Sequence, residues 1–297
     1  MGERVVKGLP LFKKLVLSVI MGGLAAAMLF PIVVTFSNSF MTETEIDYNY
    51  NLIGKMVNIA AGEKDGYINL KLIPDWVSFG QYDEVLVHKP MFLHMFWNSV
   101  FIVVPIIVLQ VMIASLAAYA FAKLRFWGRD KLFVVYLMTM LMPFQVTLVP
   151  NYIIADKLGL MNTTSAIILP GIFSAFGVFM LRQFMMHIPY TYVEAAKIDG
   201  AGHATIFYQI IVPLVKPGIA ALIVLLFVDN WNMVEQPLIF LEDTFKQPLS
   251  LYLSRISEGA RGVAFAASVL YMTPMVLLFL YAESYFVEGV QLSGIKG

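Results

Sequence analysis

Six stretches of this chain, 15–36, 97–121, 132–154, 164–185, 214–234 and 264–286, are long and almost unbroken in their apolar character. A bilayer core of about 30 Å takes roughly 20 apolar residues in helical form. Inside hydrocarbon the backbone must satisfy its own polar groups, which leaves only helices or closed barrels. A barrel would show roughly ten-residue segments of alternating character, whereas these runs are continuous. The chain therefore reads as an all-α membrane protein with six transmembrane helices. The charge content agrees: 13% of residues are charged, against about 25% in soluble domains.

Lysine and arginine in the short connections set the orientation. Arg4, Lys7, Lys13 and Lys14 precede the first span. Lys123, Arg125, Arg129 and Lys131 join spans two and three, and Arg182, Lys197 and Lys216 flank the link between spans four and five. These regions fall on one side, the cytoplasm, with both termini. The chain then divides into a cytoplasmic arm 1–14, a first span 15–36, an extracytoplasmic segment 37–96, a five-helix core 97–286 with a cytoplasmic loop 186–213, and a cytoplasmic tail 287–297. The extracytoplasmic segment is rich in acids and holds a polar stretch, Asn51–Tyr67, expected as a loop or short hairpin, followed by the aromatic-rich 73–79. Lys13-Lys14 and Ala25-Ala26-Ala27 resemble a signal peptide, but the apolar run continues to Phe36. That is too long for the apolar region of a typical leader, so the first span is read as uncleaved.

Several chemistries find no support. There is no cysteine, hence no disulfide or thiolate site. The four histidines, His88, His94, His187 and His203, lack metal-ligand spacing. No phosphate-binding G-x-x-x-x-G-K-[ST] loop is present, so any use of ATP belongs to a partner. Net charge is zero, which offers nucleic acid no attractive field.

The loop between spans four and five is the informative polar segment. Thr191 and Glu194 fit a capping box, Ala195 and Ala196 are strong helix formers, and Gly200 suits the left-handed residue that closes a helix. A second helix is expected from Ala204, with Pro213 kinking or re-capping it. Taken alone, such a helix equally fits an amphipathic loop that packs on lipid headgroups. The full stretch Glu194-Ala195-Ala196-Lys197-Ile198-Asp199-Gly200-Ala201, followed by Ile211-Val212-Pro213-Leu214, resembles the Glu-Ala-Ala signature of bacterial ABC-importer permeases, with a slightly shortened tail. The stretches 119–126, 142–150, 179–184, 286–289 and 294–297 resemble the carbohydrate-uptake branch, and within it the smaller permease partner of maltose-type systems. The segment 38–72 is longer than the family pattern.

That resemblance implies a type I ABC-importer permease fold in a bacterial cytoplasmic membrane. It implies a cytoplasmic coupling helix in which Glu194, Ala195, Ala196, Ile198, Asp199, Gly200, Ala201 and Pro213 engage an ATPase subunit. The tail would reach between two ATP-binding subunits, which would hold the ATP and Mg; this chain would bind no cofactor and catalyse nothing. A homologous second permease and an extracytoplasmic solute-binding protein complete the expected assembly, with a carbohydrate, an oligosaccharide or glycoside, as cargo.

The passage itself is less legible. Sugars are held by planar polar groups and aromatic faces, and Asn230, Trp231, Asn232 and Gln236 supply both near one end of span five. Gln145 follows Pro143, where a broken helix would expose backbone to a cavity. Interhelical hydrogen bonding explains each of these equally well, and Trp231 also suits an interfacial anchor, as does Trp97. Asn98 and Gln110 are polar residues within span two. Pro170, Gly171 and Pro274 are expected to bend spans four and six. Asp229 costs roughly 2.5–3.5 kcal/mol at mid-membrane while each nearby Leu, Ile, Val or Phe returns about 0.3–0.6, so it faces a wet interior or the interface. The alternatives are an ion-coupled secondary transporter, an ABC importer of a non-sugar solute, or an intramembrane protease. The first needs inverted repeats and a buried titratable pair, and the last a serine–histidine constellation at depth; neither is evident.

Overall fold

The computed structural model describes residues 11–50, 70–256 and 260–294, and no strand occurs among them. The expected loop or hairpin at Asn51–Tyr67, the start of the N-terminal arm and the last three residues lie outside the described residues. The chain divides into two compact units, Met1–Pro90 with Arg255–Leu270, and Met91–Ser254 with Tyr271–Gly297.

The first unit contains α1 (Leu11–Asn38) and α2 (Glu43–Tyr50). At 1.5 Å per residue, 28 residues give α1 a length of about 42 Å, enough to cross a bilayer. Its apolar side chains, Leu15, Val19, Met28 and Phe36 among them, stand exposed. Beyond α1 the chain folds back on itself. The Ser37 hydroxyl donates to the Leu72 carbonyl, and the Ser78 amide donates to the Phe40 carbonyl at 2.8 Å. Met41, Ile46 and Tyr50 form a small core with Phe265 packed on it. Lys71 pairs with Glu45 at 3.0 Å and with Asp75. Hydrogen bonds to Asp75, then to Glu45, hold its ammonium above the usual lysine range.

The second unit contains α3 (Pro90–Lys123), α4 (Arg129–Met140), α5 (Phe144–Lys157), α6 (Ser165–Gly171), α7 (Ala175–His187), α8 (Thr191–Ile198), α9 (Lys216–Trp231) and α10 (Glu235–Phe240). The final helix, α11 (Arg261–Gly294), contributes residues to both units and runs unbroken through Pro274. Ile102, Ile106, Ile167 and Leu241 form a fully buried core. Small residues let helices approach: Gly177 faces the Ala114 methyl and Leu222, and Gly218 lies under the Phe184 ring. Close backbone approach at small residues is the usual way membrane helices associate.

Among the described residues, α1, α3, α11 and the stretch Ser165–His187, which joins α6 and α7, are long and apolar enough to cross a membrane, and the total reaches six if each of two bent pairs counts as one span. The expected third span, 132–154, is not one straight helix. α4 and α5 meet at 95° around the break at Leu141–Pro143. Pro143 is extended, with φ −60° and ψ 142°. Its ring disfavours helical geometry at Met142 and removes a donor, so the apolar run must turn. The second bend, 74°, lies at Val215 between the 203–214 segment and α9. Pro217, with no N–H and a ring that crowds the carbonyl four residues back, explains a break there; Pro213 sits in a short turn, Val212–Leu214. In the fourth span, Ile172–Ser174 separates α6 from α7, as Pro170 and Gly171 suggested, and the Ser174 hydroxyl caps α7 through the Gly177 amide.

Candidate functional site

Two features of the second unit stand out: a helix turned outward, and a cavity.

The outward helix is α8. It does not start with the expected capping box. Tyr190 already has helical backbone angles, φ −65° and ψ −20°, and no side chain caps the helix. The Val193 and Glu194 amides bond the Tyr190 carbonyl at 2.9 and 3.1 Å instead. Pro189 has preset the turn, so Thr191 falls inside the helix. The other end follows expectation. Gly200 has φ +80°, the Ala201 amide reaches the Ala196 carbonyl at 2.9 Å, and the Gly200 amide reaches Lys197 at 3.1 Å. Those two bonds make a Schellman closure.

Val193 and Ala196 point inward and are buried, while Glu194, Ala195, Asp199, Gly200 and especially Ile198, at 86% exposure, face outward. A turn of π-helix, Ile206–Ile211, follows. The loop is tied to the end of α3 at three points. The Lys123 ammonium donates to the Ile188 carbonyl at 2.6 Å. The Arg125 guanidinium lies over the Tyr190 ring at 5.4 Å. The Tyr119 hydroxyl and His203 Nδ1 are 3.2 Å apart.

The cavity has a volume of about 1270 Å³ and is lined from α3, α5, α9, α10 and the α6–α7 break. That exceeds the roughly 300–1,000 Å³ of drug-sized ligand pockets. Asn230, Asn232 and Gln236 line it, as does Asp229, which is exposed there. Their free valences differ. The Asn232 amide donates to Val228 at 2.7 Å, while its oxygen accepts from the Tyr271 hydroxyl, also at 2.7 Å. Asn230 bonds the Leu226 carbonyl of its own helix at 2.8 Å, and Gln236 reaches the Ala166 carbonyl at 3.3 Å. Gln145 is absent from the lining; its amide donates to both oxygens of Glu235, at 3.3 Å each, and Glu235 does line the cavity.

Trp231 is neither a cavity wall nor an interfacial anchor. It is 2% exposed, stacked on Phe227 at 5.1 Å, and its indole N–H donates to the Tyr271 carbonyl at 3.1 Å. One helical step separates it from Asn230 and Asn232, which turns its ring to the opposite face. Trp97, by contrast, is exposed on α3.

Sequence reasoning did not single out Phe144, Thr147 and Asn151, which line the cavity from α5. Their spacing of three and four residues is one helical face, and that stripe was the available signal. Glu235 and the aromatic pair Phe173 and Phe176 carried none. Among the described residues no cluster of histidine or carboxylate groups is placed to hold a metal ion.

The model of one family, described as binding-protein-dependent transport system inner membrane component, matches residues 12–290. The arabinooligosaccharides transport system permease protein AraQ of Halalkalibacterium halodurans is 32% identical over 233 residues, covering 77% of this chain and 84% of that protein. The lactose transport system permease protein LacG of Rhizobium radiobacter is 34% identical over 221 residues, 73% of this chain and 78% of that one. In three dimensions, the crystal structure of a bacterial ABC transporter involved in the import of the acidic polysaccharide alginate matches with TM-score 0.75 over 93% of this chain and 96% of that one, at 23% identity.

Proposed function

Since this chain belongs to the family of binding-protein-dependent transport system inner membrane components, we propose that it forms half of the translocation route of an ATP-driven importer for a carbohydrate. It is a multi-pass membrane subunit and a transport component. The observation that carries the reading is the pairing of α8 with the cavity: an exposed, Schellman-capped helix at one place, and a large polar and aromatic chamber at another, both in one unit.

In this reading α8 docks into an ATP-binding subunit through Glu194, Ala195, Ile198, Asp199 and Gly200, with Ala196, Ala201 and Pro213 shaping the loop. Its small outward residues let a partner approach closely, in the manner of helix-in-groove recognition. ATP and Mg reside on two such subunits; this chain's residues only receive the motion. A homologous second permease supplies the other half of the route, and an extracytoplasmic binding protein delivers the cargo. Both termini and α8 lie on the cytoplasmic side, as the lysine and arginine bias supports. Closure of the ATPase subunits displaces α8 and shifts the bundle between inward- and outward-open states, a rigid-body switch at an interface.

An oligosaccharide or glycoside suits a chamber that offers amides, a hydroxyl and aromatic rings. The relatives transport arabinooligosaccharides and lactose by name, which supports the carbohydrate class here. The test is purification of the tagged chain from native membranes in mild detergent, with mass spectrometry of what accompanies it. An ATP-binding subunit and a second polytopic membrane protein are expected. The chain alone, with uptake surviving ATP depletion, would overturn the proposal.

A further inference from the structure

The cavity carries charge of one sign only. Asp229 and Glu235 both line it, and no lysine, arginine or histidine does among the described residues. Neither carboxylate makes an ion pair among those residues. Glu235 is held by the neutral Gln145 amide at 3.3 Å to each oxygen, which fixes its position and leaves its charge in place. Asp229 is exposed to the cavity. A second observation points independently to a ligand. Gln110 on α3 is 3% exposed, lines the same cavity, and has no hydrogen-bond partner among the described residues. Its amide atoms are not among the fully enclosed polar atoms that lack a partner, so they open onto the cavity, and that is where a polar ligand meets them.

We propose that this chain's half of the route is a negatively charged chamber that passes neutral and amino-bearing carbohydrates and rejects carboxylated or phosphorylated ones. The inference rests on the reading that the cavity is part of the route. Fixed charges in a cleft with low-dielectric walls focus their field and raise the local concentration of opposite charge. An anionic sugar needs a guanidinium or ammonium to replace its lost water, usually as a bidentate pair, and this wall has none. A neutral sugar needs acceptors for its hydroxyls, donors for its ring oxygens and a flat apolar face. The two carboxylates, Gln110 and Asn151, and the Phe173 and Phe176 rings provide these.

The absence of cysteine from the chain makes the test direct. Asn151→Cys, with Thr147→Cys as a second variant, places one thiol on the cavity wall of the assembled transporter in proteoliposomes. Two methanethiosulfonate reagents of similar size, one with a trimethylammonium group and one with a sulfonate, are then compared by mass spectrometry of this chain. After correction for their rates on an unstructured peptide thiol, the cationic reagent should react on the order of tenfold faster. Asp229→Asn with Glu235→Gln in the same background should bring the ratio close to one. Equal corrected rates without those two changes would overturn the charge proposal and leave the route standing. Failure of both reagents at both positions, with full labelling of the denatured chain, would overturn the route reading and this proposal with it.

Discussion

Gly200 shows how far one residue's backbone can be held responsible for function. Its φ of +80° is the left-handed region, which costs an ordinary L-residue about 1–2 kcal/mol. A Cβ there meets nothing within 4 Å, so strain alone decides the effect. Gly200→Val should loosen the Schellman closure of α8, and uptake should fall while ATP hydrolysis by the assembled transporter continues. Gly200→Asn, which tolerates this conformation, should fall less. Equal uptake by both variants and the parent would mean that the closure is not needed. Two neighbours in the sequence expectation for the passage also separate at this scale. Trp231→Ala removes a buried, stacked ring and should cost about 3–5 kcal/mol, read as a lower melting temperature in detergent. Gln110→Leu, close in volume, removes an amide that opens onto the cavity and has no protein partner among the described residues. Stability should be unchanged or higher and uptake lower. A loss of stability would show that Gln110 bonds within the protein.

The helices were legible in the sequence where chemistry alone dictates them, and illegible where direction matters. Hydropathy located the apolar runs that became α1, α3, α7, α9 and α11, because a lipid-facing segment has no other way to satisfy its backbone. It does not encode where a run turns. Pro143 marked the third turn and the Gln145 reasoning named a possible break, yet a run of apolar residues on both sides of Pro143 reads the same whether straight or bent by 95°. Gly200 was legible because αL closure needs that residue type; the start of α8 was not, because a backbone turn set by Pro189 made the capping side chain unnecessary. Packing between elements rests on glycines that composition does not flag. A Cβ on Gly218 would lie 2.6 Å from Phe184 Cγ, whereas one on Gly22 in α1 meets nothing within 4 Å. Gly218→Val should therefore force α9 off α7 and cost about 1–3 kcal/mol by overpacking. Gly22→Val should leave the melting temperature of the purified protein nearly unchanged, and equal losses for the two would show that the α7–α9 approach is not tight.

For the second unit as a whole, the question is what joins the outward helix to the chamber; α3 lines the chamber and bonds residues just before and after α8. Gln110 faces the cavity from its middle, and Lys123 at its end holds the Ile188 carbonyl just before α8. Thirteen residues of helix, at 1.5 Å each, separate the two by about 20 Å. A helix carries displacement along its axis without deforming, so a shift of the 188–203 loop moves the cavity wall only as far as the loop is fastened to α3. The fastening consists of one charge-assisted hydrogen bond, one cation over a ring, and the Tyr119–His203 contact. Such a bond contributes about 1.5–3 kcal/mol, more than the other two contacts, so it is the one to cut. Lys123→Met keeps the apolar stem and removes the donor. The expected result is an assembled transporter that still binds its ATP-binding subunit and still hydrolyses ATP, but moves fewer solute molecules per ATP consumed. Lys123→Arg, which restores a cationic donor, should recover most of the ratio. If Lys123→Met lowered hydrolysis and transport in equal proportion, the bond would serve assembly, and the transmission of motion would have to run through α9, which reaches the same cavity from the other side of the 203–214 bend.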